Sequence, residues 1–194
     1  EDLEDTNNLS RLLPGYAPED TMGNGNSMLN DEFHGQGCAG LIAASHNSDG
    51  IRGMAPQVML LPIYVLLDTI TPLSYFAQGI SWAADQGADV INNSWSYNDC
   101  TPNLFPVVRN ATLYAQSTGR NGKGALVVFS AGERDINRTC LSFPANQSEP
   151  LVVSAVTKNG DIAPYVPWGP AVDLAVPSSG SKSDVRTLDR MGSN

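Results

Sequence analysis

His34-Gly35-Gln36-Gly37-Cys38-Ala39-Gly40-Leu41-Ile42-Ala43-Ala44 sets a histidine ahead of two glycines and then a run of small and apolar residues. Small side chains let a helix pack closely against its neighbours, so the stretch predicts a buried helix over 34–44 opened by His34. An imidazole fixed at the front of such a helix exchanges protons near neutral pH, which makes His34 a candidate general base. The competing reading is a histidine that only satisfies a hydrogen bond in the core, and the segments that follow decide between the two. The next segment is Gly50-Ile51-Arg52-Gly53-Met54-Ala55-Pro56. After it comes Val58-Met59-Leu60-Leu61-Pro62-Ile63-Tyr64-Val65-Leu66, whose near-continuous apolar character predicts a parallel strand buried on both faces.

The bulk properties narrow the function. With 194 residues the chain is one domain by size, long enough for a substantial core. Hydrophobic residues make up 41% and charged residues 16%, a globular composition. A net charge of −9 and a pI near 4.5 argue against a nucleic-acid partner, which needs a basic surface. No apolar run approaches the ~20 residues that span a bilayer, and no leader segment is visible ahead of Glu1. Of the three cysteines, Cys38 reads as a buried thiol within the helix. Cys100 and Cys140 sit in polar loops and could pair if the compartment is oxidising. Sequons begin at Asn8, Asn92, Asn110, Asn137 and Asn146, but asparagine is plentiful and Asn92 falls on a buried-looking strand, so they say little about glycosylation.

Residues 1–33 are polar and turn-rich, with Asn7-Asn8, Pro14-Gly15 and Gly23-Asn24-Gly25-Asn26, and read as loop. From Pro72 to Gln86, residues Leu73, Phe76, Ile80, Ala83 and Ala84 recur at helical spacing, with Pro72 suited to the first turn and Gly87 ending the helix. A strand with its exit loop spans 88–96. A second amphipathic helix covers about Asn103 to Thr118, and strands follow at 124–129 and 151–156. Gly119-Arg120-Asn121-Gly122-Lys123-Gly124 has too few residues between glycines for a phosphate loop, lacks Ser or Thr after the lysine, and precedes a strand; it is a turn. That removes a nucleotide-binding reading. Alternation of strand and helix implies a three-layer α/β fold, a mostly parallel twisted sheet with helices on both faces. Loops at the carboxyl ends of its strands hold the site, which directs attention to Ser94–Ser96 and Ser130–Glu133.

H-G-x-x-x-A-G-x-I-A-A followed by G-I-x-G-x-A-P and a strand resembles the surroundings of the catalytic histidine in subtilisin-like serine proteases (subtilases, peptidase S8). His-Gly-Gln-Gly stands where that family has H-G-T-H. Gly87 to Ser96 resembles the family's G-A-D-V-I-N-x-S-x, with Ser94, Trp95 and Ser96 at the segment whose backbone lines the substrate cleft. Ser130-Ala131-Gly132-Glu133 resembles S/A-A-G-N, whose asparagine donates to the tetrahedral oxyanion, so Glu133 takes the oxyanion-hole position. Phe143-Pro144-Ala145 resembles the wall of the S1 pocket, and Leu151–Val156 and Gly169–Pro177 resemble two further strand elements.

The resemblance implies a single incomplete catalytic domain over 1–194. Glu1-Asp2-Leu3 is similar to the H-P-D-L that follows the catalytic aspartate, and Asp184 to Gly192 is similar to the approach to the nucleophile, so both of these residues are expected outside the chain. Asp5-Thr6-Asn7 echoes D-T-G only superficially, since no apolar strand leads into it. The loop after the His34 helix is similar to one that wraps a structural Ca²⁺. Asp2 and Asn47 would offer side-chain oxygens and Ser45, Asp49 and Ile51 carbonyls, a hard-ligand set that suits calcium; the competing reading is an ordinary polar turn. The implied function is a secreted or extracytoplasmic serine endopeptidase acting on peptides or proteins through an Asp-His-Ser triad, of which this chain carries His34. Alone it is expected to be inactive, needing the missing N- and C-terminal parts of its domain. The rival reading is a non-catalytic subtilase-fold binding or scaffolding module. Glu133 favours it, because a carboxylate repels an oxyanion where an amide donates, and losing one such donor costs roughly 2.7–4 kcal/mol.

Overall fold

The computed structural model describes residues 3–4, 9–19, 25, 33–48, 50–65, 71–97, 99–101, 103–133, 140–178 and 185–187. Asp2, Asp5, Asn8, Asp49, Asn137, Asp184 and residues 188–194 lie outside them. The chain divides into two compact units, Glu1–Leu67 with Arg186–Asn194, and Asp68–Val185.

In the first unit the histidine stretch forms helix α1, His34–Ala43. Only Gly40 and Ala43 within it are buried, and His34, Gly35 and Gln36 are exposed, so the expected buried helix is buried at its last turn alone. Its described contacts explain why. The carbonyls that a helix C-terminus leaves unpaired are taken by Met54 N–H on Leu41 O (3.0 Å), Ala55 N–H on Ile42 O (2.7 Å) and the Arg11 guanidinium on Ala43 O (2.6 Å). Gly53 N–H donates to Ala44 O at 2.9 Å, and a Cβ on Gly53 would lie 2.3 Å from Ala44 N, so only glycine fits at this step of the G-I-x-G motif.

The expected strand over 58–66 is not continuous. Residues 11–16, read from sequence as loop, run parallel beside 60–64, with bridges Leu12–Leu60 and Tyr16–Ile63. Leu60 N–H donates to Arg11 O, Leu13 N–H to Leu60 O, Tyr16 N–H to Pro62 O and Tyr64 N–H to Tyr16 O, at 2.8–3.0 Å. Pro14 and Pro62 have no N–H to give, which breaks the ladder on both sides. Nor are its described residues buried on both faces, since Val58 and Met59 are exposed and, of the described apolar residues, only Tyr64 is buried.

The second unit is a four-stranded parallel sheet in chain order: β1 (Val90–Asn93), β2 (Leu126–Ser130), β3 (Leu151–Val156) and β4 (Leu174–Pro177). The register pairs Ile91 with Val127, Asn93 with Phe129 and Phe129 with Val152, so one face carries a continuous buried row. Helix α2 (Leu73–Asp85) packs on β1 and on α3 (Pro106–Gly122), and α3 packs on β2. The apolar stripe read from sequence supplies the core, with Phe76, Ile80, Val108, Ala111 and Ala115 buried together with Val127 and Phe129.

Helix α2 ends as Gly87 predicts. At φ +82° the glycine turns the chain so that Gly87 N–H reaches Ala84 O and Ala88 N–H reaches Ala83 O, both at 3.0 Å. Helix α3 begins three residues later than expected because Pro106 occupies its first turn. Its regular part stops at Thr118, and Gly119, Arg120 and Asn121 leave helical geometry, the last two at positive φ, as a turn requires. Asp173, in the V-D-L element, exchanges two bonds with Val152, its carboxylate accepting from Val152 N–H (2.8 Å) and its N–H donating to Val152 O (3.0 Å). Among the described residues no helix is long and apolar enough to cross a membrane.

Candidate active site

In the first unit His34 is the first residue of α1 and is exposed. Cys38 stands one turn on, with its Sγ 4.0 Å from His34 Nε2, on the same helix face. Cys38 is half-exposed and not buried as expected, because it lies on the part of α1 that precedes the pinned last turn. The Thr187 hydroxyl donates to Gly37 O in the same first turns.

The loop after α1 is held from an unexpected side. Arg11 is only 4% exposed. Its guanidinium donates to Ala43 O (2.6 Å), Val58 O (3.1 Å) and Ser45 Oγ (2.9 Å), and the Ser45 hydroxyl donates onward to Glu4 O (2.5 Å). A cation at a helix C-terminus also complements the helix dipole. Of the candidate calcium ligands, Ser45 and Ile51 are half-buried, Asn47 is exposed, and Asp2 and Asp49 lie outside the described residues. The described donors, an amide oxygen and two carbonyls, are all oxygen and fit a hard cation. Among the described residues no group of three His, Cys, Asp or Glu is placed to hold a metal.

In the second unit the segments at the carboxyl ends of β1 and β2 lie against each other. The Trp95 ring sits 4.5 Å from Phe76 and 5.1 Å from Phe129, and its indole N–H donates to Asn93 Oδ1 at 3.2 Å. Asn93 itself is buried and donates to Val128 O at 3.2 Å, so the exit of β1 is tied to β2 through one amide. Asn92 is exposed where the sequence suggested burial, since its strand position alternates with the buried Ile91 and Asn93, and it donates to Ser94 Oγ at 2.9 Å. Ala131 N–H donates to Val153 O at 2.8 Å, and Ala131 is buried with Leu141, Ala145 and Val152.

Gly132 follows at φ +89°. A Cβ there would lie 2.9 Å from both Cβ and Oγ of Ser142 and 3.4 Å from Ser96 Oγ. Thus Ser96, Gly132 and Ser142, from three separate segments, meet at one point. Glu133 is exposed beside it. The wall segment is pinned too, with Tyr97 N–H donating to Phe143 O and Phe143 N–H to Asp99 O, both at 2.8 Å, and edge-to-face rings running Tyr97–Phe105–Phe143. Cys100 and Cys140 form a disulfide with Cα atoms 6.1 Å apart. Sequence reasoning missed Arg11, which is hidden in a turn-rich stretch. It also missed Ser142, whose partners become visible only once β1 and β2 are side by side.

The sequence profile of the Subtilase family (peptidase S8) matches residues 16–192. Thermitase from Thermoactinomyces vulgaris is 33% identical over 162 residues, covering 82% of this chain and 54% of thermitase. A calcium-dependent protease from Nostoc sp. is 32% identical over 179 residues, covering 84% of this chain and 26% of that protein. Among solved structures, a protease from Pseudoalteromonas arctica superposes with a TM-score of 0.66 at 29% identity, covering 81% of this chain and 47% of its own. The chain spans about half the length of thermitase. On the extent of the profile match, and with a parallel sheet and helices shared with these structures, the chain belongs to the Subtilase family and has its three-layer α/β fold.

Proposed function

We propose that the protein carrying this chain is a serine endopeptidase in which His34 is the general base. His34 takes the proton from the hydroxyl of a serine supplied by a segment following the chain and hands it to the leaving amine. A preceding aspartate orients the ring and stabilises its charged form. Ser94, Trp95, Ser96, Ser130, Ala131 and Gly132 form the cleft that holds the peptide. The observation that carries this reading is the meeting of Ser96 and Gly132 at the carboxyl ends of two adjacent parallel strands, where such sheets bind ligands. Kinetics of His34→Ala in the intact protein test it. Loss of a triad histidine lowers kcat on a peptide ester by roughly a millionfold, and a variant within tenfold of wild type would remove His34 from the chemistry.

The second reading is a binding module of the same fold, and Glu133, exposed at the oxyanion position, is the residue that favours it. A serine-directed fluorophosphonate separates the two: covalent labelling of the intact protein supports the enzyme, and peptide binding without labelling supports the module.

Calcium belongs to the proposal as a structural ion. Asn47 would supply a side-chain oxygen and Ser45 and Ile51 carbonyls, with Asp2 and Asp49 completing the set. Bound there, calcium would tie the loop to the N-terminal segment, a tie the Arg11 guanidinium already makes in part. A secreted or extracytoplasmic location fits the Cys100–Cys140 disulfide, since such bonds persist in oxidising compartments.

A further inference from the structure

We infer that the cleft is restricted to peptides with a small side chain, Gly, Ala or Ser, at the residue whose carbonyl is attacked, and that Ser96 and Ser142 impose the limit. The inference rests on the endopeptidase reading above. A substrate side chain that enters between the exits of β1 and β2 has to pass between Ser96 and Gly132. The room beside Gly132 is small: one methyl group added there would lie 2.9 Å from the Ser142 side chain and 3.4 Å from Ser96 Oγ.

None of the three residues is free to retreat. Ser142 is 2% exposed and sits between the buried Leu141 and Phe143. Its segment is fastened by the paired backbone bonds of Phe143 with Tyr97 and Asp99 and by the Cys100–Cys140 disulfide. Ser96 is flanked by Trp95, wedged between Phe76 and Phe129, and by Tyr97, whose N–H is bonded to Phe143 O. Gly132 holds a positive φ that fixes where its own backbone runs. A large apolar side chain would also cover the half-exposed Ser96 hydroxyl, so the two serines do not favour it. They carry no charge that would draw in Arg, Lys or Asp.

The test uses the intact protein and a set of tripeptide p-nitroanilides that differ only in the last residue: Gly, Ala, Ser, Leu, Phe and Arg. The expected result is a kcat/KM for Ala and Ser at least about tenfold above that for Leu, Phe and Arg, the discrimination that pocket volume alone supplies. Ser96→Gly and, separately, Ser142→Gly should each raise the Leu-to-Ala and Phe-to-Ala ratios by about tenfold or more. A wild type that hydrolyses the Leu, Phe or Arg substrates as fast as the Ala one overturns the inference without any variant having to fold. Ratios unchanged in both variants overturn it as well, and either result leaves the endopeptidase reading standing. Hydrolysis of none of the six, together with no fluorophosphonate labelling, rejects the endopeptidase reading and this inference with it.

Discussion

Glu133 is the side chain at which the proposed oxyanion site departs from the family motif that the sequence resembles. In a water-poor cleft, an ionised carboxylate opposes the negative charge that develops on the attacked carbonyl. In the intact protein, Glu133→Asn should therefore raise kcat on a peptide ester tenfold or more with KM little changed. Equal kcat for the two proteins would show that Glu133 does not face the oxyanion. If instead Asn137→Ala abolishes turnover while Glu133→Ala does not, the donor is the asparagine four residues on. A second single-residue effect concerns Glu149. Arg109 donates through Nε (2.8 Å) and Nη2 (2.5 Å) to Glu149 Oε1, and this holds the carboxyl below its ordinary range against the opposing effect of burial. A depressed folded-state pKa stabilises above the unfolded value and loses that contribution as pH falls through the depressed one. Melting curves should show Glu149→Gln a few degrees below wild type at neutral pH, with the gap closing on acidification past the carboxylate range. A gap independent of pH would assign the loss to packing. Glu133 could be singled out from the sequence because a motif surrounds it. The meeting of Ser96, Gly132 and Ser142 could not, because strand pairing creates it from three distant positions.

Periodicity carries the elements well where partners are local or the apolar stripe is long. Helices α1, α2 and α3 and strands β1, β2 and β3 fall close to where spacing and turn residues put them, while β4 lies in a stretch marked only by its resemblance to a family element. The failures are instructive. Residues 58–66 look like a core strand because apolar residues dominate, but Pro62 interrupts the ladder and the partner is a short stretch broken by Pro14-Gly15 that no periodicity marks. The same stretch hides Arg11, whose buried guanidinium gathers Ala43, Ser45 and Val58 onto the end of α1. Removing it leaves carbonyls without donors in a closed site. Hydrogen bonds to charged groups contribute ~1.5–3 kcal/mol each, with losses shared, so Arg11→Met should destabilise by about 2–4 kcal/mol in denaturant titrations. Lys should recover only part of this, because a single ammonium does not span the three acceptors. A neutral Arg11→Met would mean that the N–H groups of Met54 and Ala55 suffice to hold the helix end.

At the scale of the molecule, the family and its fold follow from motifs in the right order, whereas the proposed calcium site requires residues of separate segments to converge. Thermal melts of the intact protein with and without chelator should differ by several degrees, and Asn47→Ala should erase the difference. Identical melts would remove calcium from the proposal. The Cys100–Cys140 disulfide has a different kind of consequence. It closes a stretch with a sequence separation of 40 that contains all of α3 and β2. A peptide-bond cut anywhere inside that ring does not release either piece. A molecule nicked there, by itself or by another protease, migrates as one band in a non-reducing gel and separates into two only after a thiol is added. Undamaged material therefore has to be counted under reducing conditions.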